Sequence, residues 1–153
     1  LDLLDELPMP LTDNQHRFGM QLAQMSRGWR AELDRRLAGL NLSQARWLVL
    51  LHLARFQDAP TQRELAQSVG VEGPTLARLL DSLEAQGLVR RQAVLEDRRA
   101  KKIVLCPPAK PLIDQIETIA NQLRVELFTG VDEADLQVCM RVHAKILANL
   151  EKS

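Results

Sequence analysis

The segment from Asp58 to Cys106 most constrains the fold, because its helix breakers leave room only for short elements and its hydrophobic period changes part-way. Asp58-Ala59-Pro60 interrupts the chain, and Thr61 followed by Glu64 is the capping-box pattern that opens a short helix to about Ser68. Gly70 ends it. Pro74 fits the first turn of the next helix, where a missing N–H costs nothing, and Gly87 fits the left-handed position beyond its end. Leu76, Leu79, Leu80 and Leu83 recur on one face and are expected to point inward, which leaves Thr75, Arg78 and Ser82 on the opposite stripe. The helical period then stops. Leu88 to Gln92 and Lys101 to Cys106 read as two short strands, joined by a charged hairpin tip over 93–100 that is too polar to pack.

On either side the period is helical again. Phe18, Leu22, Met25, Trp29, Leu33, Leu37 and Leu40 mark one face of a long first helix, roughly 14–37, with Gly39 as its stop. Ser43 is a natural N-cap for a second helix to about Phe56, with Leu42 placed to staple onto Trp47. That helix is apolar nearly all round, so it belongs at the centre of its lobe. After Pro107, Pro108 and Pro111 a fifth helix carries Leu112, Ile116, Ile119, Leu123 and Leu127 and ends at Gly130. Asp132 caps a sixth bearing Leu136, Cys139, His143, Ile146 and Leu150. The fold class is therefore mainly α, an α+β arrangement in which three short helices and a two-stranded hairpin form a winged helix-turn-helix over 41–106. The helices of 1–40 and 107–153 form a second lobe.

Composition excludes several functions. No run free of charged side chains exceeds nine residues among the 153, so no segment can span a bilayer, and the acidic, proline-broken start is unlike a secretory signal. Cys106 and Cys139 make neither a disulfide framework nor a metal quartet, and they suit a reducing cytoplasm. His16 and His52 are too far from a second ligand type for a metal site, and no cofactor motif occurs. With no glycine-rich phosphate loop, no Ser/His/Asp arrangement and no His/Cys cluster, the chain is not expected to be an enzyme. Net charge is zero, but the distribution is uneven: residues 90–102 hold six basic and two acidic side chains, residues 111–135 one basic and six acidic. Local potential, not the total, steers a polyanion.

Duplex DNA is the partner this arrangement fits. A helix matches the major groove, and a hairpin reaches the neighbouring minor groove, where an arginine is favoured because the narrow groove concentrates negative potential. The fourth helix offers Thr75, Arg78 and Ser82; the hairpin offers Arg98 and Arg99, with a phosphate contact for Lys101. The alternative is a winged module that binds proteins, which would need neither Arg78 nor a basic hairpin exposed.

At Leu42-Ser43-Gln44, Gln62-Arg63-Glu64-Leu65-Ala66, the run from Pro74 to Glu84, Gly87-Leu88-Val89-Arg90-Arg91 and above all Asp97-Arg98-Arg99-Ala100-Lys101, the sequence resembles the MarR family of dimeric bacterial regulators, particularly its SlyA-type branch. The similarity runs from about Gln15 to Leu150. It implies that Arg99 enters the minor groove with Asp97 orienting the wing, and that Pro74, Thr75 and Arg78 occupy recognition-helix positions. It also implies that the first and last two helices interleave across a two-fold axis. Long apolar stripes at both chain ends ask for the same thing independently, since no other lobe covers them. A homodimer on an AT-rich inverted repeat follows, with half-sites about one helical turn, roughly 10 base pairs, apart. His143 and Cys139 are then packing residues of the dimer core.

The same resemblance implies a small aromatic carboxylate or phenolic ligand between the lobes, held by Arg27, Arg30 and Trp47. A guanidinium binds a carboxylate bidentately and an indole covers a ring, although Trp47 is a core residue first. Peroxide sensing through a first-helix cysteine is not expected, since none precedes Cys106. Cysteine also replaces the hydroxyl residue that usually caps the fifth helix, which points to a start delayed to about Lys110.

Overall fold

The computed structural model describes residues 10–42, 44–94 and 97–153, with the side chains of all of these except 44 and 97–99. The chain forms α1 (Asp13–Leu37), a 3-10 turn (Ala38–Leu40), α2 (Gln44–Arg55), α3 (Gln62–Val69), α4 (Gly73–Ala85), β1 (Val89–Val94), β2 (Asp97–Leu105), α5 (Ala109–Leu127) and α6 (Glu133–Glu151). It divides into two compact units, Leu1–Ile119 and Ala120–Ser153. None of its described helices is long and apolar enough to cross a membrane.

The core of the first unit is built on α2, whose Trp47, Val49, Leu50, Leu51 and Leu53 are all buried. Around it lie Leu65 and Val69 of α3, Leu76, Leu80 and Leu83 of α4, and Val89 and Ile103 of the hairpin. Leu79, expected to point inward, is half-buried.

Local signals set most boundaries. Thr61 Oγ1 accepts from the Glu64 N–H at 3.1 Å while Glu64 Oε1 accepts from the Thr61 N–H at 3.3 Å, which closes the capping box of α3. Gly70, Gly87 and Gly130 all take positive φ after their helices. Asp132 occupies the N-cap position of α6, but its side chain makes no capping hydrogen bond. The Ser43 cap lies outside the described residues. The fifth helix begins at Ala109, one residue before the expected Lys110, and the Ala109 N–H donates to the Cys106 carbonyl at 2.9 Å.

α1 ends at Leu37, as expected, and starts at Asp13, where Thr12 and Gln15 form a second capping box. Beyond Leu37 the chain tightens into the 3-10 turn, and Asn41, at φ 57°, takes the left-handed position that ends it. Asn is the side chain that tolerates that region best after glycine.

The hairpin is longer than expected. β2 begins at Asp97, so Asp97, Arg98, Arg99 and Ala100 belong to a strand and not to a loop. Ladder hydrogen bonds need only backbone groups, so a charged sequence can extend a strand without apolar alternation. Pairing is antiparallel, from Val89 opposite Leu105 to Ala93 opposite Lys101, and then shifts: Val94 pairs with Asp97. Arg98, Arg99 and Ala100 lie between those two pairs, at the register shift of a bulge. At the hairpin base the Ile103 N–H donates to the Pro60 carbonyl at 2.9 Å, and Thr61 bridges to Lys102.

Candidate nucleic-acid interface

α4 carries the face expected to read DNA. Pro74 stands in its first turn, and the burial of Leu76, Leu80 and Leu83 fixes which side faces out. On the outward side Arg78 is exposed, whereas Thr75 and Ser82 are half-buried. No hydrogen bond or ion pair engages Arg78 among the described residues, so its five guanidinium donors are available to an acceptor from outside.

Ser82 is occupied differently. Its hydroxyl accepts from Nη1 of Arg46 on α2 at 2.9 Å. The residue expected to face a base is thus also a joint between the buried helix and the reading helix. The sequence did not single out Arg46, because a partner 36 positions away leaves no periodic trace.

Asp97, Arg98 and Arg99 lie on β2 by their backbone, with their side chains outside the description. Lys101 and Lys102 are both exposed. Beside Lys101 an open groove of about 860 Å³ runs along the start of α3 and the turn into α4, lined by Gln62, Arg63, Gln67, Glu72 and Gly73 among others. Two cations, Arg63 and Lys101, and one carboxylate, Glu72, border it. The wing is tied to α4 by Arg91 of β1, which reaches Asp81, Glu84 and the Ala77 carbonyl.

A model of the MarR family matches residues 39–100 of the chain, from the 3-10 turn to the wing. The solved structure of the transcriptional regulator PA3341 is 69% identical, covers 89% of this chain and 99% of its own, and superposes with a TM-score of 0.84. The chain belongs to the MarR family. The family is one of transcriptional regulators, and the winged helix described above is its fold. More distant MarR-type folds include S. aureus MepR in complex with DNA, 23% identical over 87% of this chain and 97% of its own, TM-score 0.77. CouR from Rhodococcus jostii RHA1, bound to p-coumaroyl-CoA, is 20% identical over 89% and 95%, TM-score 0.76.

In this MarR chain the three residues expected to hold a ligand are not equivalent. Arg27 and Arg30 are exposed on α1. Trp47 is 2% exposed, and its indole Nε1 donates to Asp34 Oδ1 at 2.6 Å, so it stands in the core with its polar atom committed. The second Asp34 oxygen, Oδ2, is buried without a hydrogen-bond partner. Arg30 has company the sequence did not suggest. His52 on α2 sits 2.8 Å from the Ser68 hydroxyl through Nδ1, and its pKa is held below the usual 6.5 by burial first and by the Arg55 and Arg30 charges next. The charges of Arg55 on α2 and Arg30 on α1 thus both act against protonation of His52.

Proposed function

We propose that the protein is a homodimeric, sequence-specific regulator that grips an AT-rich inverted repeat, with α4 in the major groove and the wing in the adjacent minor groove. The observation that carries this is the pairing, on one compact unit, of an exposed, unengaged Arg78 on a helix whose other face is core with a hairpin whose bulge holds Arg98 and Arg99. Pro74 and Thr75 flank the start of the reading helix, Ser82 its later turn, Asp97 orients the wing, and Lys101 meets phosphate. That a relative of the same fold is solved on DNA supports the reading.

The dimer reading is supported by what the single chain leaves uncovered. Phe18, Leu22 and Met25 of α1 are exposed, and α6 has no buried residue although Val138, Met140, Val142, Ile146, Leu147 and Leu150 are apolar. His143 and Cys139 are exposed as well, which fits a partner covering that helix. In this reading the helices of 1–40 and 107–153 form the dimerisation lobe and 41–106 the DNA-binding domain.

A small aromatic carboxylate or phenolate modulates binding, with Arg27 and Arg30 as the anion partners and Trp47 as the nearby indole. CouR, solved with p-coumaroyl-CoA, supports the phenolic form of this reading. Selecting duplexes from a randomised pool with the full chain tests the whole proposal. Recovery of an inverted repeat whose affinity falls steeply with salt is the expected result. Recovery of no sequence, or a salt-independent complex, overturns it in favour of a protein-binding winged module.

A further inference from the structure

Arg91 lies at the root of the wing, opposite Ile103 in the β1–β2 ladder, yet its side chain turns away from the hairpin onto α4. Nη1 is 2.9 Å from Asp81 Oδ1 and 3.6 Å from Glu84 Oε1, and Nη2 donates to the Ala77 carbonyl at 2.9 Å. The Arg91 backbone N–H donates to the other Glu84 oxygen at 3.1 Å. We propose that Arg91 is a positioning residue for DNA recognition: it sets the direction in which the wing leaves the reading helix, so that Arg99 and Arg78 meet one duplex together. This rests on the DNA-binding reading above.

The argument is one of rigidity. A two-stranded hairpin has little stability of its own, so its orientation comes from its attachments. β2 is attached through the loop before α3, by the Ile103 to Pro60 hydrogen bond and the Thr61–Lys102 bridge. β1 is attached to α4 through Arg91. Together these polar attachments add direction to the apolar anchoring of Val89 and Ile103 in the core. An exposed ion pair would fix little, but the Arg91 side chain is only 15% exposed and its planar fork meets two carboxylates and a carbonyl, which sets angle as well as distance. No other side chain of the described wing makes a hydrogen bond or ion pair to α4.

Simple electrostatics and positioning make opposite predictions. Asp81 and Glu84 stand on the helix that is to meet a polyanion, so neutralising them should on charge alone tighten DNA binding. If they serve as the anchor for Arg91, neutralising them should loosen the wing and reduce what Arg99 contributes. The experiment is a set of double-mutant cycles by fluorescence anisotropy, on a duplex the wild-type chain has selected. Arg99→Ala and Arg78→Ala are each introduced into wild type, into Arg91→Lys and into the pair Asp81→Asn with Glu84→Gln. Arg99→Ala is expected to weaken wild type on the order of tenfold, and about threefold or less in both altered backgrounds, while the Arg78→Ala loss stays as in wild type. Thermal unfolding of every background identifies any that fails to fold, and the neutralised pair keeps the proposal open to refutation if Arg91→Lys is one of those. An undiminished Arg99 loss in the folded backgrounds overturns the role of Arg91 while leaving the DNA reading intact. An equal drop in the Arg78 loss overturns it too, by showing general loosening. If the wild-type chain selects no duplex, the DNA reading and this inference fall together.

Discussion

The Arg46 guanidinium donates to the Ser82 hydroxyl at 2.9 Å, joining the central helix α2 to the outward side of the reading helix α4. A serine so held has less freedom to meet a base than Arg78, which has no such partner among the described residues. Ser82→Ala is therefore expected to cost stability, about 1 kcal/mol for one lost hydrogen bond, and to change base preference little. Chemical denaturation reads the first quantity and competition binding the second. A loss of discrimination at one base position with unchanged stability would return Ser82 to the reading surface.

Arg78 and Arg99 should fail in different ways. Arg78→Ala is expected to relax the preference at one base position by on the order of 1–3 kcal/mol, since a major-groove guanidinium reads a specific acceptor pattern. Arg99→Ala should weaken binding across most AT-rich sequences, because a narrow minor groove attracts guanidinium by shape and potential. Affinity profiles of both variants over a panel of single-base substitutions separate the two. Identical profiles would mean that the major-groove and minor-groove assignments do not describe two different contacts.

What the sequence made legible was local. The capping box at Thr61 and Glu64 and the left-handed glycines at 70, 87 and 130 each depend on residues within one turn, so short-range chemistry sufficed. The end of α1 at Leu37 was legible, but the 3-10 turn that follows and its left-handed Asn41 were not, since Gly39 offers the same local chemistry. Hairpin length escaped because apolar alternation tracks burial, whereas the charged stretch that opens β2 carries no such alternation. At the candidate site Arg78 was legible from the face it occupies. The contacts of Arg46 and Arg91 were not, since each joins elements far apart in sequence.

Trp47 and Asp34 form a polar contact inside a largely apolar region, with one carboxylate oxygen bonded to the indole and the other buried without a partner. Trp47→Phe keeps an aromatic ring but removes the donor, so Asp34 loses the hydrogen bond from Trp47 while Oδ2 remains buried and unpaired. The expected cost is about 1–3 kcal/mol, seen as a lowered midpoint in thermal unfolding. An unchanged midpoint would show that water or a rearranged donor replaces the indole at no cost.

His52 makes stability depend on pH with a definite sign. Its pKa is depressed in the fold, chiefly by burial and then by Arg55 and Arg30. The unfolded chain consequently binds more protons between the folded and unfolded values. Stability is fully present above the ordinary histidine value of 6.5 and is lost as pH falls from there through the folded pKa. His52→Gln should flatten this portion of the curve when unfolding midpoints are compared between about pH 7.5 and about pH 5. An aromatic carboxylate bound beside Arg30 should raise the His52 pKa towards its ordinary value, readable by NMR titration of the ring protons. No movement of that titration at saturating salicylate would place the anion elsewhere.

The sixth helix supplies the test of assembly. Ile146 and Leu150 lie one turn apart on the same stripe, and both remain exposed in the single chain, Leu150 at 63%. A helix with no buried residue and this much apolar surface gains little from its own chain, so a second copy is the natural cover. Introducing Ile146→Asp with Leu150→Asp should leave helical content nearly unchanged while shifting sedimentation from dimer to monomer. Binding to an inverted repeat should fall much further than binding to a single half-site, because the two half-sites no longer share one linked scaffold. A variant that still sediments as a dimer would move the interface off this stripe, and a wild-type chain that sediments as a monomer at micromolar concentration would remove it altogether.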